Sequence, residues 1–262
     1  IVFPFQIKKP VEFLMPKTGK KRADVLLVER GLAESREQAQ ALIMEGSVYS
    51  PTGRVLKSGT SLENTIELKV KGKIPFVGRG GVKLAHALDT FELSVADYTI
   101  LDVGASTGGF TDCLLQRGAA QIYAVDVGHG QLHYRLRKDS RVLVIEKCNA
   151  RYAFDLPTLV DLVTIDVSFI SLTLILPSVL THLKGDSAAI VLVKPQFEAR
   201  REDVGKRGVI KSPEVHAQVL KKVIEWSENN GIEVVAQCAS PILGDAGNQE
   251  FFLLLKKLPE AQ

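Results

Sequence analysis

The chain has 262 residues, of which 45% are apolar and 24% are charged, and its formal net charge is only +3. This composition is typical of a soluble globular protein and excludes a disordered or fibrous chain. The longest apolar run, at 188–193, has six residues, whereas a membrane-spanning helix needs about 20.

The charges are unevenly distributed along the chain. Residues 1–83 hold 15 Lys and Arg against 8 Asp and Glu, whereas residues 84–262 hold 18 against 22. A basic N-terminal third predicts a module that binds a polyanion, attached to a second domain; a solvated basic face without a partner is the alternative. The three cysteines are widely spaced and suggest neither a disulfide framework nor a zinc motif, which favours a reducing, cytoplasmic setting.

Residues 1–20 are predicted to be a leader or extension outside the folded domains. The segment contains three prolines and no sustained apolar period, and Lys8, Lys9 and Glu12 interrupt it, unlike a secretory signal. Met15 is an alternative start of the chain.

Residues 21–70 are predicted to form a small α+β domain. Apolar residues at helical spacing around Leu26, and again around Ile43, indicate two short helices. Gly31 and Gly46 are expected to end these helices, because glycine readily adopts the left-handed conformation that follows a helix.

Two strands, 47–49 and 65–69, are predicted to follow, with a turn at 51–53 after the first. The segment 22–70 resembles the alpha-L RNA-binding module of the ribosomal protein S-four type. In that family the second helix and the strand after it present basic residues to RNA. The residues implied here are Arg22, Arg36 and Arg54. The alternative is that Arg36 merely solvates a helix face.

Residues 71–82 are predicted to be a linker and residues 83–258 a second domain. In this domain apolar runs rich in β-branched residues alternate with helical stretches such as 111–116 and 171–183. Alternation of this kind predicts a doubly wound α/β sheet, closed by a C-terminal hairpin. The seven expected strands are 99–103, 121–126, 142–146, 162–166, 188–194, 233–239 and 250–257.

The segment 102–111 ends the first of these strands and opens a helix, where nucleotide-like ligands bind in such folds. Ser106 stands where a dinucleotide fingerprint needs its second glycine, and Gly109 is followed by Phe110 and not by the lysine of a phosphate-binding loop. The loop resembles that of S-adenosylmethionine-dependent methyltransferases. This resemblance implies S-adenosylmethionine as the cofactor, with the loop backbone around its methionine portion.

In those enzymes a carboxylate at the end of the second strand takes the ribose hydroxyls of the cofactor, and a side chain after the third strand reads the adenine. Asp126 and Asn149 occupy these places, although Asp126 could instead be a surface carboxylate. The cofactor contacts implied by the resemblance are Asp102, Gly104, Ala105, Ser106, Gly108, Gly109, Phe110, Asp126, Val127, Asn149 and Asp166.

Longer motifs resemble the TlyA family over residues 20–258. They lie at 79–84, 102–111, 124–131, 164–171, 192–198 and 247–251. This family, historically labelled hemolysins, joins an alpha-L module to an FtsJ-like ribosomal RNA 2′-O-methyltransferase domain with the Rossmann-like sheet of class I methyltransferases. The resemblance implies a cytidine ribose of ribosomal RNA, free or in a ribosomal subunit, as the methyl acceptor. The catalytic set of the family falls on Lys83, Asp166, Lys194 and Glu250.

Asp166 and Lys194 also stand out from the residues alone, because each follows an apolar strand and parallel strands end at one edge of a sheet. A charge at such a place is costly unless it is paired or used, so a structural ion pair is the alternative. A ribose 2′-hydroxyl is a weak acid, and a lysine can remove its proton or stabilise its alkoxide. We therefore predict that Lys194 contacts the 2′-oxygen and Asp166 orients it, while Lys83 and Glu250, less distinctive alone, position the ribose.

Other methyl acceptors fit the sequence less well. Exocyclic-amine methyltransferases carry an Asn/Asp-Pro-Pro-aromatic run after the fourth strand, whereas cytosine C5 enzymes need a cysteine near the substrate. This chain has no such run after its fourth predicted strand and no cysteine directly after its fourth or fifth. A membrane-active hemolysin and a noncatalytic RNA-binding protein are the alternative functions, and no metal site is predicted. Basic residues expected to contact RNA outside the first domain are Arg79, Arg200, Arg201, Lys206 and Arg207. The alternative for the loop 195–211 is a solvated mobile segment.

Overall fold

The computed structural model describes residues 19–33, 35–44, 46–70, 75–205, 208–244 and 246–257. The chain divides into two compact units, Ile1–Lys73 and Ile74–Gln262. Most of the predicted leader, together with Lys206 and Arg207, lies outside the described residues. No helix within those ranges is long and apolar enough to cross a membrane.

The N-terminal unit contains two short helices and small antiparallel sheets. In chain order the elements are β1 (Lys20–Arg22), α1 (Ala23–Glu29), α2 (Arg36–Met44), β2 (Val48–Ser50), β3 (Gly53–Arg54), β4 (Ser61–Glu63) and β5 (Lys69–Val70). β1 pairs with β4, and β2 pairs with both β3 and β5. Leu26, Leu27 and Ile43 are buried in one core. Gly31 and Gly46 follow the two helices with φ of +67° and +73°, as the sequence predicts.

The predicted strand at 65–69 is wrong, because β5 begins only at Lys69. The guanidinium of Arg30 donates to the main-chain carbonyls of Ile66 and of Asn64, the latter at 2.7 Å. A neighbouring strand would otherwise donate hydrogen bonds to these carbonyls. The side chain of Arg30, at the end of α1, donates to them instead.

The C-terminal unit is an α/β structure. Its helices and strands are α3 (Gly80–Thr90), β6 (Thr99–Val103), α4 (Gly109–Gln116), β7 (Gln121–Asp126), α5 (Tyr134–Lys138), β8 (Val142–Glu146), β9 (Val160–Ile165), α6 (Leu176–Val179), β10 (Leu183–Val193), α7 (Pro195–Glu198), α8 (Pro213–Asn229), β11 (Ile232–Ala239) and β12 (Phe251–Lys257). Short 3-10 helices lie at Leu172–Leu174, Leu180–His182 and Arg201–Asp203.

Seven strands of the described residues form one sheet, in the order β11-β12-β10-β9-β6-β7-β8. β12 is antiparallel to both of its neighbours, and the strands from β10 to β8 run parallel. Successive residues of β6 face opposite sides: Ile100 packs in the cluster with α3 and α4, and Leu101 in the cluster with α6 and α8. The predicted doubly wound sheet is confirmed, with the carboxyl ends of its parallel strands at one edge.

The helix predicted over 171–183 is wrong. The structure breaks this segment into a 3-10 helix, the four-residue helix α6 and another 3-10 helix. Pro177 lies at the start of α6, and a proline inside one continuous helix would remove a hydrogen bond and clash with the preceding turn.

Residues 75–79, predicted as part of a linker, pack against the C-terminal unit. The main-chain N–H of Val77 donates to Asp112 Oδ2 at 2.7 Å, and Gln116 Nε2 donates to the carbonyl of Pro75 at 2.8 Å. α3 then begins at Gly80, three residues before the predicted domain start at Lys83. Side-chain contacts with α4, which local sequence patterns do not reveal, hold this segment in place.

Candidate active site at the carboxyl edge of the sheet

The loop between β6 and α4 is shaped by glycines. Gly104 and Gly108 have φ of +83° and +98°, a conformation that strongly favours glycine. A Cβ at Gly104 would collide with the main-chain carbonyl of Asp166, and a Cβ at Gly108 would collide with Leu136. The loop therefore passes directly beside the end of β9 and beside Leu136, where only glycine leaves room for this close approach.

Ser106, at the place of the missing fingerprint glycine, also adopts a left-handed conformation, with φ of +48°. Its N–H donates to Asp126 Oδ2 at 2.8 Å, and the N–H of Gly128 donates to Asp126 Oδ1 at 2.6 Å. Two backbone donors thus orient the half-buried carboxylate of Asp126 at the rim of the loop, where the sequence predicts it.

Asp102 supports this loop from beneath. Its side chain does not reach the cofactor space, whereas the resemblance implied a direct contact. Its side chain is fully buried, and its two oxygens accept hydrogen bonds from Thr111 Oγ1 at 2.6 Å and Thr164 Oγ1 at 2.9 Å. Burial raises the pKa of Asp102 to about 6, with the negative charge of Asp166 as a smaller cause. Asp102 links β6 to α4 and β9.

The ring of Phe110 lies in the core, 6.2 Å from the ring of Phe252, so its side chain is not open to a ligand. Val127 is 69% exposed beside Asp126, which agrees with a side chain open to a ligand. Asn149 is exposed after β8, and its Oδ1 accepts the N–H of Arg151 at 3.1 Å within a local turn.

Two short ion pairs occupy the edge beyond the loop. Lys194 Nζ lies 2.6 Å from Asp166 Oδ1 and donates to Ser168 Oγ at 2.8 Å. Lys83 Nζ donates to Glu250 Oε2 at 2.6 Å. All four ionic side chains are mostly or almost fully buried, with 3–20% of each exposed. Their charges are therefore paired in surroundings that solvent screens weakly.

The sheet register explains why these four side chains share one edge. Val193 of β10 pairs with Phe251 of β12. Lys194 comes directly after Val193 and Glu250 directly before Phe251, so the two residues lie side by side at the ends of antiparallel neighbours. Asp166 follows β9, which lies on the other side of β10. Lys83 lies one turn into α3, and a Cβ at Gly80 would lie 3.8 Å from Asp166 Oδ2. The predicted set thus converges although the residues are up to 167 positions apart.

Sequence reasoning missed an aromatic pair at the same edge. Phe169 is 89% exposed and left-handed, with φ of +64°, and its ring centroid lies 5.0 Å from that of Phe197. A strained backbone that presents an aromatic ring to solvent is a mark of a binding site. The sequence feature that could have revealed this pair is the position of Phe169, an aromatic residue three positions beyond Asp166 in the loop after a strand.

The N-terminal unit brings two predicted RNA contacts together. Arg22 donates through Nε and Nη2 to the two oxygens of Asp24, at 3.0 and 2.8 Å, and Arg36 Nη2 lies 3.3 Å from Asp24 Oδ2. Asp24 is fully buried, and these contacts, the Arg22 hydrogen bond first, hold its pKa far below the usual range. The two arginine side chains remain about half exposed, at 50% and 54%.

The remaining described arginines that are predicted to contact RNA have different surroundings. Arg54 packs over Gly46, where a Cβ would collide with its guanidinium. Arg79 donates to the carbonyl of Leu243. Arg200 is exposed at 3.6 Å from Glu202, and Arg201 is exposed beside it.

The comparison with known proteins agrees with this geometry. The model of the FtsJ-like methyltransferase family matches residues 76–257. The 16S/23S rRNA (cytidine-2′-O)-methyltransferase TlyA of Mycobacterium tuberculosis is 43% identical over 239 residues, which cover 90% of this chain and 89% of that protein. The Bacillus subtilis protein YqxC, named as a candidate rRNA methyltransferase, is 51% identical over 247 residues, 93% of this chain and 88% of the relative.

A solved structure of a hemolysin candidate from Streptococcus thermophilus superposes with a TM-score of 0.73 at 45% identity, and covers 93% of this chain and 90% of that one. Family model, relatives and fold all indicate the same kind of enzyme. The chain belongs to the FtsJ-like methyltransferase family, whose cofactor is S-adenosylmethionine, and within that family to the TlyA group.

Proposed function

We propose that this chain methylates the 2′-oxygen of a cytidine ribose in ribosomal RNA, which would place its work in the cytoplasm. The observation that carries the proposal is the Lys194–Asp166 pair at 2.6 Å, directly beside the glycine loop. The printed activity of the Mycobacterium tuberculosis relative supports the same acceptor.

The residues present fit S-adenosylmethionine. A cavity at the glycine loop is lined by Ala105, Ser106 and Asp126 among others, and Asp126 is a carboxylate fixed by two backbone donors at the loop rim. Asp126 would hold the ribose hydroxyls, the loop backbone would hold the methionine portion, and exposed Val127 would lie against the adenine. When bound, S-adenosylmethionine supplies an electrophilic methyl group on a sulfonium.

Lys194 is the group that acts on the attacking oxygen. A neutral lysine can accept the 2′-hydroxyl proton, and an ammonium can stabilise the developing alkoxide. Asp166 and Ser168 fix the position of Lys194 Nζ through contacts at 2.6 and 2.8 Å, so that little motion is needed to reach the reactive arrangement. The Lys83–Glu250 pair positions the ribose next to this centre.

Phe169 supports recognition of a single nucleotide. Proteins that act on exposed nucleotides often stack the base on an aromatic ring, and such stacking is largely independent of sequence. The ring of Phe169 is open to solvent three residues from Asp166, so a base stacked there would have its ribose near Lys194.

The N-terminal unit, residues 21–70, is proposed as an RNA anchor. Asp24 holds Arg22 and Arg36 in place while about half of each arginine side chain stays open to solvent. A guanidinium that is already oriented loses less conformational entropy when it binds a phosphate. Contacts with phosphates release counterions, so this unit would make RNA binding depend on salt.

The proposal is tested by transfer of tritiated methyl from S-adenosylmethionine to ribosomal RNA and to isolated ribosomal subunits. Nuclease digestion should release the label as 2′-O-methylcytidine. Label in a base-methylated nucleoside would refute the ribose acceptor. The absence of transfer to every form of rRNA, combined with dye release from liposomes, would favour the hemolysin alternative.

A further inference from the structure

Glu198 is a buried carboxylate that the proposed chemistry does not use. It lies at the end of α7 and is only 3% exposed. Its Oε2 accepts the hydroxyl of Ser171 at 2.6 Å, and its Oε1 accepts the main-chain N–H of Leu172 at 2.7 Å. Its own main-chain carbonyl accepts Lys222 Nζ of α8 at 2.9 Å.

The two segments that Glu198 joins each carry one member of the catalytic pair. Residues 166–171 follow β9 and begin with Asp166, whereas residues 194–198 follow β10 and begin with Lys194. Lys194 contacts Asp166 and Ser168 at one end of this pair of segments. The Glu198 carboxylate makes its two contacts at the other end.

The segment after β9 has little regular structure to hold its shape. It passes through Phe169 with a left-handed φ of +64°, a conformation that costs free energy in a residue other than glycine. Regular structure resumes at the 3-10 helix Leu172–Leu174, whose cap is Ser171. The Glu198 carboxylate therefore fixes the first regular residues after the strained part of the loop.

We propose that Glu198 is a positioning residue that clamps the two strand-end segments together, so that Asp166 and Ser168 hold Lys194 and Phe169 faces Phe197. This inference rests on the proposed roles of Lys194 and Asp166. It assigns Glu198 no contact with substrate or cofactor.

The chemistry of the contacts suits this role. Both groups that meet the carboxylate are donors, and an ionised carboxylate accepts from both. Hydrogen bonds to a charged, buried acceptor are stronger and shorter than neutral ones, which is what a geometric clamp needs. A glutamine keeps one carbonyl oxygen for the Leu172 N–H, and its amide can donate to the Ser171 hydroxyl, so much of the clamp should survive in Glu198→Gln.

The test compares Glu198→Ala, Glu198→Gln and a matched control, Asp161→Ala, in single-turnover methyl transfer to rRNA. Asp161 also accepts a backbone N–H, from Thr99 at 2.9 Å, and a side chain, Lys184 at 2.5 Å, but at the opposite edge of the sheet. Titration calorimetry with S-adenosylhomocysteine and thermal unfolding are measured for each variant.

We expect Glu198→Ala to slow the single-turnover rate by about 10- to 100-fold, the range expected when a catalytic group is misplaced by up to an ångström. S-adenosylhomocysteine affinity should change less than about threefold, because Glu198 lies outside the cofactor loop; Glu198→Gln should recover most of the rate. Asp161→Ala should lose stability without a comparable loss of rate.

A folded Glu198→Ala protein that reacts within twofold of the native rate would overturn the inference, as would an equal rate loss in Asp161→Ala. If Glu198→Ala does not fold, Ser171→Ala removes one contact of the clamp, and an unchanged rate in that variant would also overturn it. An inactive native protein would instead refute the proposed function, so the two failures are distinguishable.

Discussion

Replacing Lys194 with alanine tests the proposed chemistry most directly. The change removes an ammonium that is only 11% exposed and that contacts Asp166 and Ser168. Loss of a proton acceptor or alkoxide stabiliser typically costs about 10²- to 10⁴-fold in rate, which corresponds to roughly 3–5 kcal/mol in the activation free energy. Because the 2′-oxygen becomes charged only as the reaction proceeds, affinities for cofactor and RNA should stay within a few fold.

The same change should also reduce the free energy of unfolding. Asp166 loses its cationic partner while 20% of its side chain is exposed, and Ser168 loses a hydrogen bond to a charged group, which costs about 1.5–3 kcal/mol. Rates must therefore be measured well below the midpoint of thermal unfolding. Lys184→Ala is the matched control. Lys184 lies in β10, at the end opposite Lys194, and it also pairs with an aspartate, Asp161.

Single-turnover transfer from tritiated S-adenosylmethionine, with enzyme in excess over rRNA, is the decisive assay. Asp166→Ala should be almost as slow as Lys194→Ala, and the double variant should be much faster than the product of the single losses predicts, because the residues act as one unit. Lys194→Arg should also be inactive, since a guanidinium does not deprotonate at working pH. A near-native rate in Lys194→Arg would refute proton abstraction by Lys194 and show that positive charge suffices.

Three further outcomes are expected. Asp126→Ala should lose the calorimetric heat of S-adenosylhomocysteine binding, because the carboxylate is fixed at the loop rim; retained affinity would contradict its role. The affinity for rRNA falls as salt rises, and replacing Arg22 and Arg36 together with alanine should make the slope of log affinity against log salt less negative by roughly 1–2. An unchanged slope would rule out phosphate contacts. Since the pKa of Asp102 is raised to about 6 from 3.8, the folded state binds its proton more tightly. Its contribution to the free energy of unfolding should therefore decrease, by at most ~3 kcal/mol, as pH rises from about 4 to about 6; urea titrations of Asp102→Asn should lack this decrease.

Sequence patterns were most informative for three successive parallel strands. The predicted bounds of β6, β7 and β8 agree with the structure at every terminal residue. Parallel strands buried on both faces read as short, continuous apolar runs, and the polar residues that follow them mark their ends. The short strand predicted at 65–69 had no such signal, and the Arg30 side chain binds the carbonyls of Asn64 and Ile66 there.

The same contrast holds within the site. The sequence by itself placed Asp166 and Lys194 at strand ends and indicated the glycine loop, because strand period and loop spacing are local properties of the chain. It could not separate Asp102, which is buried on two threonine hydroxyls, from Asp166, which reaches Lys194, although both are strand-end aspartates. Only tertiary structure decides this, since burial of a carboxylate depends on which distant segments cover it. The pairing of Lys83 with Glu250, 167 residues away, and the clamp of Glu198 on Ser171 likewise exist only once the order and register of the strands bring those segments together.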